Sequence, residues 1–272
     1  MKKVVFVLFL LNTFYSIYSQ NNEIENLHQS LTKVGNDTSK VIILIDMGVA
    51  FSNENPDSSL KYFSKASTLS LQLKDSKDLQ IRETALFLYA ECLYESAYVY
   101  SQIMKYSVAE ALFNEALSEL NVITDKSINT ILINKSKKLN AEIIAGMGNV
   151  YLDKSYYSIA LKKFIEAMEI KNRLLKEGII EEFEIASNYF NIGIVHYELK
   201  NYEKSLEYYN KCLLISEKAD NDFGIAKCNN NIGLVKRKMN QIDDALNYFE
   251  KTAEYAKNNE NQLLLAQAFD NI

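Results

Sequence analysis

The sequence predicts an all-α protein, an α-solenoid of stacked antiparallel helical hairpins, and three observations carry that prediction. The tripeptide Asn191-Ile192-Gly193 returns 40 residues later as Asn231-Ile232-Gly233, and its first two residues return after a further 40 as Asn271-Ile272. Helix breakers are scarce, with one proline (Pro56) and eight glycines in 272 residues. Small and apolar side chains recur at helical spacing in segment after segment. A helical pair of this kind leaves an apolar face uncovered, so its core exists only where neighbouring pairs stack.

The first 20 residues are written differently from the rest. Lys2 and Lys3 form a basic head, Val4 to Leu11 is an unbroken apolar run, and Ser19-Gln20 gives a small-residue exit, the order of a secretory signal peptide. The run is interrupted at Asn12 and falls short of the roughly 20 apolar residues that span a bilayer, which favours a removed leader over an uncleaved anchor. No cysteine stands near the junction, which argues against a lipid-anchored lipoprotein. The expected organisation is a signal peptide over 1–20, a short N-terminal helix and linker over 21–38, and the solenoid over 39–272. The solenoid is expected to hold five helical pairs and the first part of a sixth, and to continue past the last residue.

The linker segment carries Ile24, Leu27 and Leu31 as one helical stripe. The first pair then has Gly48 and Phe51, followed by Ser59, Leu60, Phe63 and Ala66, with Asn55-Pro56 as its turn, a capping residue followed by one pre-set for the first helical position. The second has Ala97 and Tyr100, then Tyr106, Ala109, Phe113 and Ala116. The third has Gly148, then Tyr157, Ala160, Phe164 and Ala167, and the fourth has Gly193, then Tyr202, Ser205, Tyr209 and Cys212. The fifth has Gly233, then Ile242, Ala245, Phe249 and Ala253, with Thr252 where its neighbours have Cys212 and Ala167. The small residues at the anchors let paired helices approach closely, and the aromatics fill the space beside them.

This register resembles the tetratricopeptide repeat (TPR), in which a Leu-Gly pair and an aromatic mark the first helix and Ala, aromatic, Ala mark the second. The residues that carry the likeness are Ile192-Gly193, Tyr202, Ser205, Tyr209 and Cys212, with Met147-Gly148, Tyr151, Tyr157, Ala160, Phe164 and Ala167 as the cleanest set. The resemblance implies a right-handed solenoid over about residues 40–272. The chain departs from the family in period: the anchors Gly48, Ala97, Gly148, Gly193 and Gly233 are 49, 51, 45 and 40 residues apart, against about 34 for the standard repeat. The proline usual between repeats is also missing, and longer helices are the expected account of the extra length. An exported leader, a short helix, the entry Asp37-Thr38-Ser39-Lys40-Val41 and extended TPR units together resemble the sensor ectodomains of Bacteroidota histidine kinases or transcriptional regulators. That likeness implies a periplasmic location, free or at the periplasmic face of the inner membrane. It also implies a membrane helix and an output domain, such as a histidine kinase, beyond Ile272, through which the protein would meet the membrane and form a homodimer.

Several chemistries are excluded or disfavoured. The formal charge is -5, and -7 without Lys2 and Lys3, so the body lacks the basic footprint that nucleic acid requires. With only His28 and His196, neither a histidine-rich metal site nor a paired-histidine zinc motif can be assembled, and His196 stands where other pairs have Tyr100 and Tyr151, a packing position. Gly146-Met147-Gly148 lacks the lysine and strand context of a phosphate loop. Glu181-Glu182 and Asp243-Asp244 are read as helix starts, and Lys135-Ser136-Lys137-Lys138 as a solvated face. No catalytic residue, metal site or cofactor is expected. Cys92, Cys212 and Cys228 are read as small buried thiols, although Cys212 and Cys228 fall on helices that should touch, and an exported location would permit a bond between them.

The TPR resemblance implies a concave groove lined by the first helices of the pairs. Its positions map to Tyr94 and Tyr98, to Asn149, to Phe190, Ile194 and Tyr197, and to Lys227, Asn230, Arg237 and Lys238. Asn191 and Asn231 match the asparagine that in related repeats hydrogen-bonds a bound peptide's backbone. Aromatics would bury apolar side chains and the cluster at Arg237 would take a carboxylate. The same positions also suit packing between repeats or ordinary surface. The expected function is thus a non-enzymatic binding module for a peptide or protein, the exported sensory part of a membrane signalling protein, with a free periplasmic or surface adaptor as the alternative.

Overall fold

The computed structural model describes residues 24–259 and 261–272, so the leader expected over 1–20 lies outside the described residues. Among those residues the chain forms helices and turns and no strand. It divides into two compact units, one ending at Ile143 and one beginning at Ile144.

The first unit opens with helix α1 over 24–31. There follow α2 (Thr38–Phe51), α3 (Pro56–Leu73), α4 (Leu79–Gln102), α5 (Tyr106–Lys126) and the first part of α6 (Thr130–Asp153). Side-chain caps fix where three of these begin. The Asp37 carboxylate accepts from the Ser39 and Lys40 N–H groups at 2.9 and 3.3 Å, and Asp78 accepts from Gln80 and Ile81 at 2.8 and 3.2 Å. Asn55 accepts from the Ser58 N–H at 3.0 Å with Pro56 at the first position, the turn the sequence predicts. α2 packs on α3, α3 on α4 and α4 on α5, while α2 also meets α4, so the first helices of successive pairs lie side by side. Met47, Phe63, Phe113, Leu120 and Ile123 form the buried interior.

The second unit continues from α6 into α7 (Tyr157–Lys176), a short 3-10 turn (Glu182–Ile185), α8 (Ala186–Glu198), α9 (Tyr202–Lys218), α10 (Asp222–Lys238), α11 (Ile242–Asn258) and α12 (Gln262–Asn271). Each helix from α8 to α12 packs on the next, with Phe164, Ile192, Tyr209, Ile232 and Phe249 inside. As expected, Glu181 caps the 3-10 turn through a reciprocal capping box with Glu184, and Asp243 and Asp244 occupy the first turn of α11.

One packing device recurs in both units. Gly48, Gly148, Gly193 and Gly233 sit on first helices, and the ring of Phe63, Phe164, Tyr209 or Phe249 from the second helix lies against each glycine's bare backbone. An added Cβ would come within 2.6 Å of the ring at Gly148 and Gly193 and within 2.5 Å at Gly233, closer than real Cβ atoms approach. In two pairs a hydroxyl replaces the alanine that follows, and Ser59 and Ser205 donate to the Gly48 and Gly193 carbonyls at 2.7 and 2.8 Å.

The turns recur too. Met104, Ser155, Lys200 and Asn240 have φ of 60, 60, 60 and 62°, each two residues before a second helix begins. In each case the next residue's N–H reaches back across the helix end, as Asn201 does to the His196 carbonyl at 2.8 Å and Tyr156 to Tyr151 at 2.8 Å. This is the left-handed closure of a helix end, here built without glycine.

Extra helical length accounts for the wide spacing of the early anchors. α4 and α6 each run 24 residues, whereas α8 has 13 and α9, α10 and α11 have 17. The lysine block is not a uniformly solvated face. Ser136 is fully buried, because its place in the helical period turns it inward, while Lys135 lies outside with its ammonium 6.0 Å from the Phe87 ring.

Candidate functional site

The second unit holds a pocket of about 250 Å³ between α8 and α10, with its floor on α9. Its wall on α8 is Ala186, Ser187, Phe190 and Asn191, two neighbouring rows one helical turn apart, and Phe183 from the preceding turn extends it. The opposite wall is Asn221, Phe223, Gly224 and Lys227 at the start of α10, and Cys212 and Ser216 of α9 close the bottom. Gly224 allows α10 to sit close on α9, since a Cβ there would meet the Ser216 hydroxyl at 2.7 Å. Asn221 is spent on the helix end, where it accepts the Gly224 N–H at 3.0 Å.

Apolar surface predominates in the pocket, and Lys227 is the one cation among its lining residues. Phe183 and Phe223 flank the cavity and are 57% and 49% exposed. The Lys227 ammonium stands 4.7 Å from the centre of the Phe190 ring and 5.6 Å from that of Phe223, bridging the two walls. Among the described residues it has these ring partners and no carboxylate partner.

Of the residues singled out from the sequence, the pocket brings together Phe190, Asn191 and Lys227. Asn191 donates to the Asn149 side-chain carbonyl at 3.2 Å, so these two residues form one hydrogen-bonded step between first helices. Asn231 donates to the Lys227 backbone carbonyl at 2.9 Å and accepts from the Tyr209 hydroxyl at 3.4 Å. Ile194 and Tyr197 pack half-buried on the Tyr209, Ile232 and Val235 cluster. Asn230 is buried and accepts from the Asn271 amide at 3.1 Å. Arg237 lies over the Phe249 ring and donates to the Asn271 carbonyl and side-chain oxygen at 3.2 and 3.3 Å, which commits the guanidinium to α12; Lys238 is exposed. In the first unit, Tyr94 tilts against Phe113 with ring centres 6.1 Å apart, and Tyr98 is 42% exposed.

Sequence reasoning missed Phe183, Asn221, Phe223 and the floor residues. The signal for Phe223 was present, because it precedes Lys227 by four and so shares its helical face. Phe183 sits in the short turn before α8 and had no register to announce it. His196 is buried as predicted and lies flat on Tyr208, with ring centres 5.5 Å apart at 18°. Burial, helped by the charge of Lys204, holds its imidazole below the ordinary value of 6.5. Among the described residues no group of three or more His, Cys, Asp or Glu stands ready to hold a metal, and no helix is long and apolar enough to cross a membrane.

The repeat architecture around this pocket matches a known family. Residues 184–258 match the model of the tetratricopeptide repeat. The match covers α8 to α11, the two hairpins that build the pocket. No protein of curated function matches the chain. Solved structures extend the likeness beyond the TPR segment. The chain is similar to BtubC (BKLC) from P. vanneervenii at 18% identity and a TM-score of 0.63, over 80% of this chain and 82% of that one. It is similar to the apo form of RapI at 23% and 0.61, over 82% and 72%. A Rap protein complexed with competence and sporulation factor aligns at 16% and 0.65, over 91% of this chain and 62% of that one. At these identities the likeness is one of fold, a stack of TPR-type helical hairpins.

Proposed function

We propose that the chain is a non-enzymatic binding module that takes a segment of a peptide or protein between the first helices of its TPR hairpins, with the pocket between α8 and α10 as the anchor point. The observation that carries this reading is the exposure of Phe183 and Phe223 around a cavity of about 250 Å³, enough for one large apolar side chain. Lys227 adds a cation at the rim, and α8 and α10 present it on rigid helices rather than on loops. A Rap protein of similar fold was crystallised with competence and sporulation factor, which is consistent with a groove of this type receiving a ligand.

The finer reading is an exported sensor of a membrane signalling protein, in which groove occupancy alters the stacking of the hairpins. It is supported by the leader-like first 20 residues and by the order of leader, short helix and extended repeats. Export is tested by fusing residues 1–20 to a reporter that is active only outside the cytoplasm, where a silent fusion refutes it.

Binding is tested by selecting linear peptides from a displayed library on the chain and titrating the winners against Phe190→Ala and Lys227→Glu. Affinity should fall at least tenfold in each. Winners that bind both variants like the parent would remove the pocket from the site.

A further inference from the structure

The pocket floor carries a second chemistry. All three cysteines are free and buried; Cys92 belongs to the first unit, while Cys212 on α9 and Cys228 on α10 belong to the second. Cys212 and Cys228 lie on the packed helices α9 and α10, and the two thiols interact directly across the contact between the two hairpins. Ser216 and Lys227 line the same pocket, and the hydroxyl and the charge both act on Cys212. Cys212 lines the pocket while only 4% exposed, and Cys228 is 0% exposed behind it. One sulfur is therefore addressable from the cavity and the other is addressable only through the first. These surroundings differentiate the pair. The neighbouring Cys228 thiol, then Ser216 and Lys227, favour the Cys212 thiolate against burial, whereas the neighbouring Cys212 sulfur and its own burial push the Cys228 thiol up.

We propose that the floor of this pocket is a thiol-modification site, at which Cys212 exchanges with a compact organic disulfide and Cys228 resolves the adduct into a Cys212–Cys228 bond. In the first step the Cys212 thiolate attacks one sulfur of the disulfide. The Cys212–S bond forms, the S–S bond of the reagent breaks, and its other half leaves as a thiolate that takes up the proton Cys212 gave. In the second step Cys228 gives up its proton and attacks the Cys212 sulfur, and the second half of the reagent leaves as a thiol. Two protein thiols are oxidised and one disulfide is reduced to two thiols, so electrons and protons balance. The bond joins the hairpin α8/α9 to the hairpin α10/α11 beside Lys227, and so fixes the distance between the pocket walls. This chemistry does not depend on what else the pocket binds, and its test contains no peptide.

The reduced full chain is incubated natively with bis(2-hydroxyethyl) disulfide, quenched, unfolded and alkylated with a maleimide. Of its three cysteines, Cys92 should alkylate and the other two should be protected, with mass mapping joining the Cys212 and Cys228 peptides and two equivalents of 2-mercaptoethanol released. Cys228→Ser should stop at an adduct on Cys212 with one equivalent released, and Cys212→Ser should not react. Far-UV circular dichroism confirms that each variant is folded, and Cys228→Ala replaces the serine variant if that one is not. Three alkylatable thiols in the parent, or an adduct on Cys228 when Cys212 is absent, would overturn the assignment.

Discussion

The ring of Tyr209 packs against the place where Gly193 has no side chain, near enough that a Cβ there would sit 2.6 Å from its nearest atom. The Ser205 hydroxyl closes the same contact by donating to the Gly193 carbonyl at 2.8 Å. Glycine, ring and small residue thus form one joint, and the same joint recurs at Gly48, Gly148 and Gly233. Gly193→Leu is expected to destabilise the fold by about 1–3 kcal/mol, because it forces a side chain against a ring already packed with Ile232 and Val235. A denaturation midpoint equal to that of the parent would mean that the joint does not set the helix approach.

Lys200 sits at φ 60° in the turn between α8 and α9, a conformation that strains any residue carrying a Cβ. Relief of that strain, about 1–2 kcal/mol, outweighs the smaller entropic cost of glycine in the unfolded chain. Lys200→Gly should therefore raise stability by about 1 kcal/mol. Asn240→Gly, at φ 62°, should gain less, since asparagine tolerates the left-handed region. Equal or lower melting temperatures for Lys200→Gly would refute the argument.

The hairpin register was legible because each joint needs a residue without a side chain opposite a large ring, and that requirement leaves few substitutes at Gly148, Gly193 and Gly233. The turns were not legible. Met104, Ser155 and Lys200 hold the left-handed position by hydrogen bonds across the helix end, and nothing in those residue types advertises it. The candidate site was legible in part for the same kind of reason. Register alone places Phe190, Asn191 and Lys227 on the first helices, but it does not say which side chains turn into the core. Ile194 and Tyr197 do so because α9 and α10 supply an apolar cluster beneath them, and Arg237 is drawn to Asn271 by a long-range hydrogen bond.

Glu95 on α4 is a carboxyl whose surroundings oppose its charge. Burial, and then the neighbouring Glu91, push it up to about 7 from the ordinary 4.5. With the folded value above the unfolded one, the folded state binds the proton more tightly. The resulting stabilisation is complete below 4.5 and is lost as pH rises through about 7. Glu95→Gln keeps the shape and removes the titration, so it should be more stable than the parent above that pH and lose the advantage in acid. Parallel stability curves for the two proteins would refute the assignment.

His196 should show the opposite sign. Its imidazole is 6% exposed, lies on the Tyr208 ring and has no hydrogen-bond partner for Nδ1, and burial lowers its proton affinity below the ordinary 6.5. The unfolded chain takes up a proton near 6.5, but the folded chain resists until the pH falls further. Stability from this residue is therefore complete above 6.5 and drains away as pH falls through the folded value. Tyrosine stands at the equivalent place as Tyr100 and Tyr151, so His196→Tyr substitutes a side chain that this position in the hairpin already accommodates. Urea melts from about pH 8 to about pH 5 should show the parent losing stability relative to His196→Tyr only on the acid side. A constant difference between the two across that range would mean that the imidazole is protonated equally well in the folded chain, and that Tyr208 and the surrounding burial do not oppose its charge.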